Sequence, residues 1–136
     1  MRLRALGLLT FACGVLVSST PAIAHHSFAA EFDSTKVVTK QGFVTKIDWT
    51  NPHVWFYINV KDEAGKISNW GFEMGPPHGL QTRGWSRTTM KLGDEISVNG
   101  TLARNGSNRG NARTVTMVST GKRLGAASSE TDSAQQ

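Results

Sequence analysis

The sequence predicts an all-β fold, a five-stranded OB-fold-like barrel with one short helix between strands 3 and 4. Runs of β-branched and aromatic residues recur along residues 37–118, and each run is bounded by turn residues. Helical periodicity is scarce, and residues 76–85, which favour a helix, fall between the third and fourth runs. Five strands with a helix after the third is the order of an OB-fold, and the chain is too short for a lipocalin-like barrel or an eight-stranded sandwich.

The strand boundaries follow from the turn chemistry. Asn51-Pro52 separates the first two strands, Asp62-Glu63-Ala64-Gly65 forms a tight hairpin, and Leu92-Gly93-Asp94 precedes the fourth strand. The predicted strands are Val37–Trp49, His53–Val60, Ile67–Met74, Glu95–Leu102 and Arg113–Val118.

The hairpin between the second and third strands also predicts a register. A turn centred between Glu63 and Ala64 would place His53 opposite Met74. Trp55 would then face Phe72 and Tyr57 would face Trp70, forming an aromatic ladder on one side. A one-residue bulge would exchange the two faces, so the sequence leaves both arrangements open.

The N-terminus predicts export. Arg2 and Arg4 precede an uncharged apolar run over residues 5–17, and Ala22-Ile23-Ala24 supplies the small residues that signal peptidase accepts. The apolar run is shorter than the ~20 residues that span a bilayer, so we expect no membrane anchor after cleavage following Ala24. Lipoprotein processing at Cys13 is the rival interpretation. The predicted organisation is a signal peptide (1–24), a periplasmic or secreted OB-like domain with an N-terminal arm (25–125) and a disordered tail (126–136).

Composition narrows the function classes. Cleavage after Ala24 would remove the single cysteine, Cys13, and with it any disulfide or thiol nucleophile. Of the 15 basic residues 13 remain against 10 acidic ones, a net charge of +3 that does not predict a nucleic-acid partner. Hydrolase elbows, phosphate-binding glycine loops and His-Glu-x-x-His signatures do not occur in the sequence, so no catalytic residue is predicted and a binding role is favoured over an enzyme.

Several motifs together resemble a known family. They are His25-His26-Ser27-Phe28 after the signal peptide, Trp49-Thr50-Asn51-Pro52-His53-x-Trp55, Gly84-Trp85-Ser86-Arg87 and Lys91-x-Gly93-Asp94. In these the chain is similar to an uncharacterised family of small bacterial periplasmic proteins, across nearly the whole mature chain. The resemblance implies export and a small β-domain, and it implies no activity.

The histidines are the candidate metal ligands. If His25 becomes the N-terminal residue, its α-amine and imidazole can chelate one ion, and the amine loses its proton far more easily than a lysine does. The predicted metal site comprises His25, His26, His53, His78 and Met74. Nitrogen ligands favour copper, and the arrangement resembles the histidine brace of copper proteins; three imidazoles would suit zinc. Acidic residues that could orient a histidine are Glu31, Asp33, Asp48 and Glu73.

Two alternatives remain beside the metal site. The histidines could simply belong to a terminus and to turns, hydrogen-bonded to the backbone. The domain could instead be a module that binds a small ligand or another periplasmic protein, with the aromatic face, including Trp55 and Tyr57, stacking on the partner. In that case the loop from Arg104 to Arg113, which also contains Arg109, would grip an anion.

Overall fold

The computed structural model describes residues 27–127, which form six strands and two short helices. The elements in chain order are α1 (Phe28–Glu31), β1 (Phe32–Asp48), β2 (Trp55–Lys61), β3 (Ile67–Glu73), α2 (Pro77–Thr82), β4 (Glu95–Ala103), β5 (Arg109–Met117) and β6 (Arg123–Gly125). The prediction of a mostly β protein with a short helix between the third and fourth strands is confirmed.

All six strands belong to one sheet in the order β3-β2-β1-β4-β5-β6. Sequential neighbours in this order pair antiparallel, and β3 additionally pairs with β5 in parallel through residues 71–73 and 109–111. The additional pairing joins the two ends of the β3-β2-β1-β4-β5 series. It brings residues from β3 and β5 side by side, and this juxtaposition creates the candidate site.

β1 is long because it serves two partners. Residues 32–43 pair with β4 and residues 43–48 pair with β2, with irregularities between Asp33 and Val37 and between Val44 and Lys46. Gly42 lies where the strand passes close to β2, and a Cβ atom there would lie 2.2 Å from the carbonyl oxygen of Asn59. A residue without a side chain is therefore required at this point.

The core lies on one face of this curved sheet. It is built from aliphatic, aromatic and methionine side chains of β1 to β5, with Leu80 from α2 and Trp85 from the loop that follows. Phe56 and Phe72 are fully buried and stack with ring centroids 5.7 Å apart. Among residues 27–127, no helix is long and apolar enough to cross a membrane.

The predicted register of the β2–β3 hairpin is wrong by one residue. Trp55 pairs with Glu73 and Tyr57 with Gly71, because the loop between Asp62 and Lys66 holds three residues and is centred on Ala64. Gly65 takes a left-handed φ of 81°, and the Asp62 carboxylate accepts a hydrogen bond from the Lys66 amide at 2.8 Å. This is a three-residue hairpin loop with glycine in the left-handed position.

Because of the register shift, the four aromatic residues of the predicted ladder lie on two opposite faces of the sheet. Trp70 and Phe72 lie on the core face, where they stack at 6.3 Å. Trp55 and Tyr57 project from the opposite face, since neighbouring residues of a strand alternate. The aromatic face proposed for ligand stacking therefore contains Trp55 and Tyr57 without the other two rings.

The C-terminal half also differs from the prediction. β5 begins at Arg109, four residues earlier than expected, so the arginine-rich loop is limited to residues 104–108 and Arg113 lies within a strand. β6 is a sixth strand that the sequence did not predict, because three residues carry no readable alternation. Ala126 and Ala127, which the prediction assigned to the tail, are buried; residues 128–136 of that tail lie outside the described part.

Candidate functional site

One row of side chains crosses the sheet on the face opposite the core. It follows the strand pairings from β4 to β1 and consists of Thr101, Asn111, Glu73, Trp55 and Asp48. Directly paired residues project to the same side of a sheet, so these side chains are neighbours. Four of the five are polar, which makes this row the main polar feature beside the apolar core.

Glu73 is the centre of the row. Its side chain is nearly enclosed, the residue being 7% exposed, and its Oε1 pairs with Nδ1 of His53. Burial raises the pKa of the Glu73 carboxyl above its ordinary value, while His53 and Arg109 act in the opposite direction and Glu31 adds to the rise. The carboxylate therefore lies within the electrostatic influence of three charged or titratable side chains.

His53 is held by this contact. It precedes β2, after the cis Asn51-Pro52 bond, and the Val54 amide donates to the carbonyl of Gly75 at 3.2 Å, which aligns it with the end of β3. With Nδ1 engaged by Glu73, Nε2 is the ring nitrogen left for another partner. The side chain is 27% exposed, so the ring is partly open to solvent. Among residues 27–127, Glu73 is the predicted orienting acid that pairs with a histidine.

Arg109 stacks on Trp55 beside this pair. Its guanidinium carbon lies 4.4 Å from the centre of the Trp55 ring, a cation–π geometry. Gly71 is the β3 residue paired with Arg109, and the Tyr57 ring packs over it, 2.9 Å from where a Cβ atom would lie. Within residues 27–127 no hydrogen bond or ion pair engages the Arg109 guanidinium, so its donors remain available.

Two buried polar atoms of the row have no partner in the described part of the chain. They are Oγ1 of Thr101 and Oδ1 of Asn111, on residues that are 0% and 1% exposed. Thr101 and Asn111 are paired across β4 and β5, and Asn111 is paired with Glu73. Unsatisfied buried oxygens cost ~1–3 kcal/mol each, so these two atoms beside Glu73 are the acceptors that a bound water or ligand would satisfy.

A cavity of 290 Å³ lies next to the row, where α1 meets the β4–β5 hairpin. Its lining combines apolar and polar side chains: Ala30, Glu31, Phe32, Ala103, Asn105, Ser107 and Arg109. The helix is held there by Arg104, whose amide donates to the Glu31 carbonyl at 2.9 Å and whose Nε donates to the Ala29 carbonyl at 2.7 Å. The N-terminal arm thus forms one wall of the cavity.

The predicted metal ligands are only partly brought together. His53 and His78 lie at the same end of the β2–β3 hairpin, as expected, and His78 is an exposed residue of α2. Met74 is fully buried in the core, on the face opposite Glu73. His25 and His26 lie outside the described residues. Within residues 27–127, no three histidine, cysteine, aspartate or glutamate side chains are grouped so that they could hold a metal ion.

The predicted ligand-binding residues also do not all lie in one site. Trp55 and Arg109 form the stacked pair, and Tyr57 lies next to Trp55 on the same face, with the Lys46 ammonium 5.2 Å from its ring centre. Arg104 anchors α1. Arg113 is half-buried in β5, and its Nε has no hydrogen-bond partner among the described residues.

Sequence reasoning missed Thr101, Asn111 and the cavity residues Asn105 and Ser107. Thr101 and Asn111 come together only through the β4–β5 register, and Asn111 meets Glu73 only through the parallel β3–β5 pairing. The available signal was the Gly110-Asn111-Ala112 segment. There a glycine inside a strand indicates close approach of another backbone, and a polar residue follows it.

The fold and site together define a small β-sheet domain with a buried carboxylate–histidine pair and an adjoining polar cavity. The chain belongs to a family of unknown function (DUF6152), which matches residues 12–113. This agrees with the resemblance to an uncharacterised family that the motifs indicate. No curated protein and no solved structure matches the chain significantly.

Proposed function

We propose that this is an exported metal-binding protein of the periplasm, with copper as the preferred metal and His53 as a ligand. The pairing of His53 Nδ1 with the buried Glu73 carboxylate is the observation that carries the proposal. Histidines that bind metals almost always engage a carboxylate or carbonyl through their second ring nitrogen, which sets the tautomer and ring orientation. His53 has this arrangement, and Nε2 is the ligand atom.

The second part of the site is the N-terminal residue produced by cleavage after Ala24. Two residues of extended chain span at most about 7 Å, so His25 is tethered close to Ser27, where the described chain begins. α1 follows at once, and Glu31 at its end is near enough to influence the pKa of Glu73. The amine and imidazole of His25, with Nε2 of His53, supply three nitrogen ligands, a set suited to Cu(II).

His26 and His78 are candidates for a further ligand. We leave Met74 out of the proposed set because its side chain is enclosed in the core on the other face of the sheet. Metal binding by this set would join the N-terminal arm to the β2–β3 hairpin.

We further propose that the sheet is an OB-fold-like barrel. The cycle of pairings β1-β2-β3-β5-β4-β1, with parallel β3 and β5 and a helix between β3 and β4, supports this assignment. In such a barrel the His53–Glu73 pair lies on the outer surface, where a ligand and the N-terminal arm can both reach it.

The test is a titration of the protein starting at His25 with Cu(II), Cu(I) and Zn(II). Acetylation of the His25 α-amine removes the terminal chelate, and His53→Gln removes the second ligand; we expect each to weaken Cu(II) binding at least tenfold. The matched control is unacetylated protein prepared in the same way, which should bind like the unmodified chain.

Two results would contradict the proposal. The terminal chelate is wrong if acetylation of the His25 α-amine leaves the affinity unchanged. The role of His53 is wrong if His53→Gln binds copper normally while remaining folded. The intact mass of the exported protein checks the cleavage site independently.

A further inference from the structure

We propose that the cavity between α1 and the β4–β5 hairpin binds a small zwitterion, a free amino acid or a dipeptide with a small apolar side chain. Such a ligand would place its carboxylate on Arg109 and its ammonium on Glu31. The inference is independent of the metal proposal, because none of the residues that line the cavity is a proposed metal ligand.

Arg109 supplies the carboxylate subsite. Stacking on Trp55 at 4.4 Å holds the plane of the guanidinium, while its N–H donors are engaged by no hydrogen bond or ion pair in the described chain. A planar guanidinium with free donors matches the two oxygens of a carboxylate, and immobilising it in advance reduces the entropy lost on binding. Asn105 stands on the same cavity wall and offers its side-chain amide as a further donor.

Glu31 supplies the opposite charge. It lies at the end of α1 and lines the same cavity as Arg109, yet the two side chains make no ion pair with each other. Both act on the pKa of Glu73, with opposite signs, so both charges stand close to the same buried group. A cavity that offers one unpaired anion and one unpaired cation is complementary to a ligand carrying both charges.

The remaining lining determines the size and polarity of the ligand. Ala30, Phe32 and Ala103 form an apolar wall that a methyl group can contact. At about 30 Å³ of liquid volume per water, 290 Å³ holds roughly ten non-hydrogen atoms. Alanine and dialanine are within or close to this limit, and larger peptides are excluded.

The experiment is a ¹H–¹⁵N NMR titration of the protein starting at His25, with EDTA present so that metal binding does not contribute. The probes are alanine, dialanine, inorganic phosphate and N-propionyl-alanine, which has the size of dialanine but no ammonium. The signals followed are the Trp55 indole N–H and the Arg109 Nε–H. Alanine or dialanine should shift both signals saturably, and N-propionyl-alanine should bind at least fivefold more weakly than dialanine.

Variants identify the two charges. Arg109→Lys keeps the charge but loses the planar fork, and we expect about tenfold weaker binding of the better zwitterion. Glu31→Gln should bring the affinity for dialanine down to that for N-propionyl-alanine. Arg87→Lys is the matched control, since Arg87 is exposed and outside the cavity, and it should bind like the parent.

Several outcomes would overturn the inference. Equal binding of dialanine and N-propionyl-alanine would remove the role of Glu31, and undiminished binding by a folded Arg109→Lys would remove that of Arg109. A response to phosphate alone would make the cavity a simple anion site. If neither zwitterion shifts the two signals at 10 mM, taken as roughly tenfold above a millimolar Kd, the cavity does not bind this class.

Discussion

Glu73 shows how a single buried carboxylate can organise a site. The β3 strand brings it to the row beside Asn111 and Trp55, and the only imidazole paired with it in the described chain is that of His53. A carboxylate in this environment is costly to ionise, because burial removes the water that would otherwise solvate its charge. Its pairing with Nδ1 of His53 in this buried position indicates a role in positioning the imidazole.

The raised pKa of Glu73 predicts a pH dependence of stability. A carboxyl whose pKa is higher in the folded state than its ordinary 4.5 binds its proton more tightly when folded. Its stabilising contribution is therefore fully present below pH 4.5 and is lost as the pH rises through the folded-state pKa. Glu73→Gln removes this titration, so the stability of the parent relative to this variant should fall between pH 4 and pH 7.

Urea unfolding of metal-free protein at several pH values measures this difference. Glu63→Gln is the control, because Glu63 is an exposed carboxylate in the hairpin turn. A parent protein that gains stability over Glu73→Gln as the pH rises would mean that the contact with His53 outweighs burial.

At the scale of elements, close backbone contacts explain features of the strands that the sequence alone did not predict. Gly110 interrupts the apolar pattern of β5, and a Cβ atom there would lie 2.7 Å from the Thr101 carbonyl oxygen and 2.9 Å from a Phe72 ring carbon. The glycine is therefore required by its neighbours, although in the sequence it resembles loop chemistry. This is why the prediction began β5 at Arg113 and enlarged the arginine-rich loop.

Substitution of two other glycines tests the close packing of strands. A Cβ atom at Gly42 would lie 2.2 Å from the backbone carbonyl oxygen of Asn59, and one at Gly100 would lie 2.3 Å from the backbone carbonyl oxygen of Asn111. Since backbone atoms cannot move aside cheaply, Gly42→Ala and Gly100→Ala should each reduce the free energy of unfolding by about 3 kcal/mol or more.

Gly79→Ala is the matched control for these substitutions. It lies in α2, and its added Cβ would be 3.6 Å from Pro76, an ordinary contact. Replacing a helical glycine by alanine should leave stability unchanged or raise it by about 0.5–1 kcal/mol. Chemical denaturation compares all three variants, and a Gly42→Ala protein as stable as Gly79→Ala would contradict the described β1–β2 approach.

At the scale of the whole molecule, the segment from Arg123 to Ala127 closes the domain. The Ala126 carbonyl accepts from the Gly75 amide at 2.9 Å, its amide donates to the Arg113 carbonyl at 2.8 Å, and the Gly125 carbonyl accepts from Trp85 Nε1 at 2.8 Å. The segment thus connects the end of β3, the middle of β5 and the loop after α2.

Shortening the chain tests this closure. A chain that ends at Gly121 loses β6 and these three hydrogen bonds, each worth about 0.5–1.5 kcal/mol, and exposes the core beneath Ala126. We expect its free energy of unfolding to fall by about 3 kcal/mol or more. A chain that ends at Ala127 keeps all of these contacts and should unfold at a higher temperature than the chain that ends at Gly121. Equal thermal unfolding of both shortened chains would contradict a structural role for the segment.

The sequence by itself determined the class of fold, the positions of β2, β3 and β4 to within two residues, and the helix after β3. These follow from local physics, because alternation, turn residues and helix-breaking prolines act over a few neighbouring positions. It also suggested Glu73 as a partner for a histidine. Glu73 was one of four acidic residues considered for this role, and no local feature of the sequence distinguished it from the other three.

Only the tertiary structure decided which residues share a site. The register of the β2–β3 hairpin differs by one residue from the predicted register, so Trp70 and Phe72 face the core and Trp55 pairs with Glu73. A shift of one position turns every side chain of a strand to the other face. The parallel β3–β5 pairing then placed Asn111 and Arg109 next to Glu73 and Gly71, across about 38 residues of chain. Such contacts depend on long-range register, which no short stretch of sequence encodes.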